Sequence, residues 1–179
     1  MIQRLRVPLG FLSGAAFILL AQPRVSSLFI GGAIAALGLL IRAWASGHIR
    51  KNAVLAISGP YAHTRNPLYL GSFVLGLGFT IAAANFWLIL LFAGLFLGIY
   101  LPVMRIEAGD VAALFPIDYQ QYAKHVPLFL PRLTSWRADR QNIAPPAFDF
   151  SLYLKYREYR AALGLLAALG LLVAKAAYF

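Results

Sequence analysis

Thirteen residues of this 179-residue chain, Gly59-Pro60-Tyr61-Ala62-His63-Thr64-Arg65-Asn66-Pro67-Leu68-Tyr69-Leu70-Gly71, gather helix breakers and polar side chains between two apolar segments. Gly59-Pro60 reads as a turn. Asn66-Pro67 reads as a helix start, because Asn favours the N-cap and Pro the first helical position. A helix N-terminus offers free backbone N–H groups and the positive end of a dipole. A polar loop above it that carries Tyr61 and Tyr69 makes a concave site able to hold a flat, polar ligand. Arg65 has the planar fork that matches a carboxylate or phosphate. Each residue also has a plainer explanation: Arg65 as a snorkelling cation, the two tyrosines as members of an interfacial belt.

A second constellation runs from Met104 to Arg132. Glu107, Asp110, Val111 and Leu114 share one helical face by their spacing. Glu107 lies just beyond an apolar run, where a carboxylate is costly and needs a partner. That partner is either Arg105 or Arg65 in an ion pair, or the cationic group of a ligand. Tyr119 and Tyr122, three residues apart, face the same way on the next short helix. Thiol chemistry is excluded, since the chain has no cysteine, and the histidines at 48, 63 and 125 lack ligand spacing, so no metal site is expected.

These residues must be positioned by a membrane protein. The chain is 61% hydrophobic and 12% charged, against about 25% charged in a soluble domain. Five apolar runs approach the roughly 17–25 residues needed to cross a bilayer: Val7–Gln22, Val25–Trp44, Leu68–Ala84, Phe86–Met104 and Ala161–Tyr178. The first is followed by no small-residue cleavage site and reads as a retained span. Turns at Gln22-Pro23-Arg24 and at Asn85 make two helical hairpins. The expected fold is an all-α polytopic membrane bundle, one domain over 1–179, with about five transmembrane helices and short interfacial helices.

The net charge of +10 does not indicate nucleic-acid binding, because the charges sit between apolar runs and form no basic, aromatic-interleaved stripe. With the N-terminus in the cytoplasm, 14 of the 16 basic residues lie on the inner side, counting Arg42 at the inner end of the second run, and only Arg24 and Lys175 lie near the other face. The C-terminus is then outside. All six acidic residues fall between Arg105 and Arg160, so any active site faces the cytoplasm. The pairs Gly94/Gly98, Gly31/Ala35 and Gly164/Ala168 have the spacing that lets helix backbones approach in lipid, and are expected to pack within the bundle. The stretch from Leu133 to Asp149, with Pro145-Pro146, reads as a loop. From Phe148 to Tyr159, aromatics alternate with Lys155 and Arg157 ahead of the last span, which reads as an interfacial helix.

Gly59-Pro60-Tyr61, Arg65-Asn66-Pro67, Tyr69 and Gly71 resemble the G-P-Y-x-x-x-R-H-P-x-Y-x-G signature of the isoprenylcysteine carboxyl methyltransferase and phospholipid methyltransferase group of integral membrane enzymes. Glu107, Val111, Phe115, Tyr119, Tyr122, Val126 and Pro127 fall in register with that family's second signature. The likeness covers roughly residues 39 to 131. It implies S-adenosylmethionine as methyl donor, held on the cytoplasmic side, with cofactor contacts falling on Ala53, Val54, Leu55 and Ala56, on Tyr61, on Asn66, Pro67, Leu68 and Tyr69, and on Glu107. Glu107 would suit the cofactor's ammonium group by charge, and Tyr61 and Tyr69 its adenine or ribose.

The sequence departs from the family pattern in four places. Asn66 stands for the family's His, Ala108 for the second Glu of a pair, Pro116 for a Gly, and Val103 for an Arg that some members carry. Asp110 could partly replace the missing carboxylate. The implied reaction is displacement at a sulfonium methyl, in which the protein mainly aligns the reactants and excludes water. No side chain is an obvious base, which favours a carboxylate or an already neutral acceptor over a protonated amine. Arg65 is the catalytic candidate, orienting a lipophilic acceptor that reaches the site from the membrane. The alternatives are an NADPH-dependent reductase of the membrane sterol-reductase type, which carries a similar Arg-x-Pro-x-Tyr pattern, and a non-catalytic membrane scaffold.

Overall fold

A computed structural model describes residues 14, 16, 17, 19–50, 53–137 and 147–178. Among these the regular structure is entirely helical: α1 Val25–Ser46, a 3₁₀ turn Gly59–Ala62, α2 Pro67–Ala82, α3 Phe86–Leu95, a π turn Phe96–Tyr100, α4 Leu101–Leu114, α5 Pro116–His125, α6 Phe150–Lys155 and α7 Tyr159–Tyr178. Arg4, Arg6, most of the run Val7–Gln22, Asp139 and the Pro145-Pro146 loop lie outside the described residues.

Three helical stretches are long and apolar enough to cross a membrane: Val25–Ser46, the continuous run Phe86–Leu114, and Tyr159–Tyr178. The expected count of five is therefore not reached among the described residues. The run Leu68–Ala84 forms a helix of 16 residues, Pro67–Ala82. At about 1.5 Å per residue it is roughly 24 Å long, short of a hydrocarbon core of roughly 30 Å. The run expected to end at Met104 continues to Leu114. Pro102 lies inside it, where its ring conflicts with the carbonyl four residues earlier. The π turn over residues 96–100 falls at that point and gives the ladder an extra residue.

The chain divides into two compact units. The first comprises residues 1–38, 73–102 and 161–179. In it α1 meets α2 backbone to backbone. A Cβ added to Gly31 would lie 2.3 Å from the Ala82 nitrogen and 2.4 Å from the Gly78 carbonyl oxygen, and one added to Gly78 would lie 2.3 Å from the Ala35 nitrogen. The Gly31/Ala35 pair thus packs as expected, against a matching Gly78/Ala82 pair. Among the described residues, a Cβ at Gly94, Gly98 or Gly164 would meet no atom within 4 Å, so those glycines make no such close contact there. The Asn85 turn closes as a cap: its side chain accepts from the Trp87 N–H and donates to the Leu20 carbonyl, while Ala84 takes the left-handed conformation. Ala21, Ala82, Ala83, Leu88 and Leu172 form this unit's core.

The second unit comprises residues 39–72 and 103–160 and contains both signatures. Its core is Tyr119, Tyr122 and Val126, packed on by Leu55, Ile57, Val111, Phe115 and Trp136. The apolar positions of the second signature therefore form one cluster, bent where Pro116 starts α5. The expected interfacial helix is shorter than the aromatic stretch, six residues capped by Asp149, which accepts from the Ser151 N–H.

Candidate functional site

The site is built on the loop between the 3₁₀ turn and α2. Gly59 adopts φ +58, a conformation open mainly to glycine, and a Cβ there would lie 2.6 Å from the His48 ring. His48 is buried and held by its Nδ1 bond to the Trp44 carbonyl. Pro60 follows in the turn, and Tyr61 is buried behind it.

From Tyr61 onward the loop is bonded to α5 and the segment that follows it. The Tyr122 hydroxyl donates to the Tyr61 carbonyl at 2.7 Å, and the Trp136 N–H to the Ala62 carbonyl at 3.0 Å. The Arg132 N–H donates to the His63 carbonyl, and His63 Nδ1 donates back to the Arg132 carbonyl, each at 2.9 Å. Thr64 Oγ1 donates to the Phe129 carbonyl at 2.8 Å, and the Arg65 N–H to the Pro127 carbonyl at 2.9 Å. Asn66 Nδ2 donates to the Leu128 carbonyl at 2.9 Å. Nearly every loop residue thus finds its partner on one strap, residues 126–136. A buried loop must satisfy its backbone polar groups, and the strap does so here.

The residues expected to form the site fall into three groups. Tyr69 and Glu107 meet: the Tyr69 hydroxyl donates to Glu107 Oε1 at 2.7 Å. This is a short, charge-assisted bond between the first turn of α2 and the face of α4. The expected arginine partner of Glu107 is replaced by a phenol. Arg65 instead donates from Nη1 to the Tyr119 hydroxyl at 2.8 Å, with its guanidinium carbon 5.6 Å from that ring's centroid. Among the described residues, its buried Nε has no hydrogen-bond partner, nor has the buried Tyr61 hydroxyl.

The second group is engaged in the frame. Leu55 packs on the tyrosine cluster, Pro67 is fully buried, and the Leu68 carbonyl accepts from Ser72 Oγ at 2.9 Å. Asn66 is bonded to the strap, so the residue standing for the family's His acts as an anchor. Ala108 also packs on the cluster, where the family pattern has a carboxylate. The third group is not brought to the others: Ala53 and Val54 are exposed in a turn, Ala56 is half-buried, and Asp110 is exposed.

Burial pushes the hydroxyls of Tyr61 and Tyr122 well above the usual phenol range. Tyr156 and Glu158 add to this at Tyr61, and Tyr61 adds to it at Tyr122. Both are neutral hydrogen-bonding groups at any physiological pH. Asp149 shifts the other way: hydrogen bonds from Ser151 hold its carboxyl below the usual carboxylate range, helped by Arg50.

One network was missed from the sequence. Arg42 donates from Nε and Nη2 to Glu158 Oε2 at 2.9 and 2.7 Å, and from Nη1 to Ser72 Oγ. The pair ties α1 and the first turns of α2 to the turn before α7. An arginine inside an apolar run needs a partner, and Arg42 within Val25–Trp44 was that signal. Among the described residues, no three His, Cys, Asp or Glu side chains cluster as a metal site would require.

No family model and no solved structure matches the chain. It is similar to the cobalt-zinc-cadmium resistance protein CzcN of Cupriavidus metallidurans, 35% identical over 114 residues, 62% of this chain and 50% of that protein. It is similar to the nickel-cobalt-cadmium resistance protein NccN of Alcaligenes xylosoxydans xylosoxydans, 33% identical over 55% of this chain and 46% of that one. It is also similar to the protein-S-isoprenylcysteine O-methyltransferase of Schizosaccharomyces pombe, 32% identical over 81 residues, 45% of this chain and 34% of the enzyme. The chain spans half or less of the length of these curated relatives. A distant, partial likeness to a membrane methyltransferase thus stands beside likeness to two resistance proteins.

Proposed function

We propose that the protein transfers a methyl group from S-adenosylmethionine to a lipophilic acceptor at the cytoplasmic face of the membrane. The observation that carries this reading is the Tyr69–Glu107 bond, which joins the two signatures through their polar side chains. The donor set fits the cofactor. Glu107 is an exposed carboxylate able to face an ammonium group, Tyr69 fixes the direction of its Oε1, and Tyr61 is assigned to ribose or adenine by family position. When bound, S-adenosylmethionine supplies an electrophilic methyl group on a sulfonium centre.

The chain's own work is then positioning. Tyr119 holds one arm of the Arg65 guanidinium through Nη1, and we assign Arg65 to an anionic acceptor such as a lipid carboxylate. The strap keeps the loop backbone rigid, so that a small displacement of Arg65 is resisted. The partial likeness to the S. pombe methyltransferase supports the reaction class.

The test is thermal stabilisation of the purified protein in detergent by S-adenosylhomocysteine or NADPH, followed by transfer of labelled methyl to lipid extract. The expected result is stabilisation by S-adenosylhomocysteine and none by NADPH. The opposite pattern supports a reductase, and no response to either supports a scaffold.

The likeness to CzcN and NccN favours a second reading, about setting and not chemistry: this methyl transfer takes part in metal resistance. Cells carrying the wild-type chain then tolerate cobalt, zinc, cadmium or nickel better than cells carrying an Arg65→Lys chain. Equal tolerance would remove that setting and leave the enzymatic reading in place.

A further inference from the structure

The strap that frames the signature loop is not wholly turned inward, and large apolar side chains on it are exposed. Leu130 is 72% exposed and Leu133 is 98% exposed, while Val126 at the strap's start is buried in the tyrosine cluster. Ile117, in the first turn of α5, is 81% exposed, and Leu114, the last residue of α4, is exposed beside it in sequence. Single exposed leucines need no explanation, but large apolar side chains recurring on one short segment do.

What covers them follows from the helix they adjoin. Leu114 ends the 29-residue run Phe86–Leu114, which is long and apolar enough to cross a membrane. At about 1.5 Å per residue the run spans roughly 43 Å, more than the roughly 30 Å hydrocarbon core and close to the thickness with headgroups included. Exposed Arg105, Glu107 and Asp110 mark where it leaves the hydrocarbon, so Leu114, about two turns past Glu107, ends the run at the membrane surface. The charges agree. Lys124 and Arg137 are exposed and Arg132 is half-exposed, against one acidic residue, Asp118, in the same stretch. Arg132 is turned back to the His125 carbonyl and to Thr134. Apolar residues interspersed with cations describe an element lying in an anionic lipid interface.

We infer that the start of α5 and the strap over residues 126–136 rest on an anionic bilayer surface, with Leu114, Ile117, Leu130 and Leu133 inserted among the lipids. Because the same strap holds Ala62 to Asn66 by hydrogen bonds to its own backbone groups, the membrane surface becomes one wall of the frame that positions Arg65. The inference does not depend on the reaction proposed above.

The chain has no cysteine, so single labels are clean. Leu133→Cys and, as a second position, Ile117→Cys are labelled with bimane and the full chain is reconstituted in phosphatidylcholine vesicles with and without phosphatidylglycerol. Brominated lipid is expected to quench both labels as strongly as a Leu90→Cys reference on α3, with iodide in the water quenching little. Dominant iodide quenching overturns the inference. Protection from both quenchers also overturns it, since a protein surface such as a second copy would then cover the patch. Adding Lys124→Gln and Arg137→Gln should reduce lipid quenching in the anionic vesicles alone, and equal quenching in both vesicle types would overturn the anionic preference.

Discussion

Replacing Glu107 by glutamine tests the centre of the proposed site with little change in shape. The residue is exposed and accepts one short bond from Tyr69, so its removal should leave the fold intact. A full charge pair at about 4 Å is worth about 4 kcal/mol at a near-surface dielectric. Water competes at an exposed carboxylate, which brings the figure to about 1.5–3 kcal/mol, the range for hydrogen bonds to charged groups. That is a loss of roughly ten- to a hundredfold in affinity for a ligand bearing an ammonium group. Tyr69→Phe keeps the charge and loses only its orientation, so about 0.5–1.5 kcal/mol is expected. Titration calorimetry with S-adenosylhomocysteine reads both. The double variant supplies the decisive number: if Tyr69 acts through Glu107, Tyr69→Phe costs nothing further in the Glu107→Gln background. Wild-type affinity in Glu107→Gln, with an unchanged melting temperature, would refute the assignment of the ammonium site.

Arg65→Lys keeps the charge but loses the planar fork that Tyr119 orients. We expect kcat to fall by about tenfold or more while S-adenosylhomocysteine affinity holds, read by methyl transfer and calorimetry on the same preparation. Gly59→Ala forces a side chain into the left-handed region and against the His48 ring, so a loss of about 2 kcal/mol or more is expected as a lowered melting temperature. The raised tyrosine pKa values set an alkaline limit. The folded state favours the neutral phenols of Tyr61 and Tyr122, so their contribution is complete below the unfolded value of about 10 and is lost as pH rises beyond it. Melting temperature followed from about pH 8 to about pH 11 should fall at the alkaline end. Tyr122→Phe should flatten that fall.

What the sequence disclosed follows from what leaves a local mark. Asn66-Pro67 marks the start of α2 and Asn85 marks a cap, because each acts on its own neighbours. The Gly31/Ala35 spacing marks a close contact but not its partner, since Gly78/Ala82 carries the same kind of spacing as other small pairs in the chain. Span length was misjudged where hydropathy alone set the limits. Apolar residues continue past Ala82, but the helix stops there, and the helix after Asn85 runs on past Met104. The Arg42–Glu158 pair joins residues 116 positions apart, and the charge of Arg42 showed only that some partner was needed. Ala53 and Val54 entered the site by family position alone, and nothing in their exposed turn draws them to Glu107.

The strap explains why the two signatures belong together. Glu107 and Tyr69 are 38 positions apart and meet through one side-chain bond. The rest of the joint is backbone: carbonyls of Pro127, Leu128, Phe129 and Arg132 receive donors from His63, Thr64, Arg65 and Asn66. Backbone carbonyls leave no side-chain pattern, so the strap is visible in sequence only through Val126-Pro127, where Val126 seals the tyrosine core and Pro127 offers a carbonyl without a competing N–H. Asn66 fits the same logic. Its amide holds the strap without a titratable ring, at a position where the family pattern carries a histidine. The substitution preserves the frame and removes a proton acceptor. Under the proposed reaction, that loss favours an acceptor that needs no deprotonation by the enzyme.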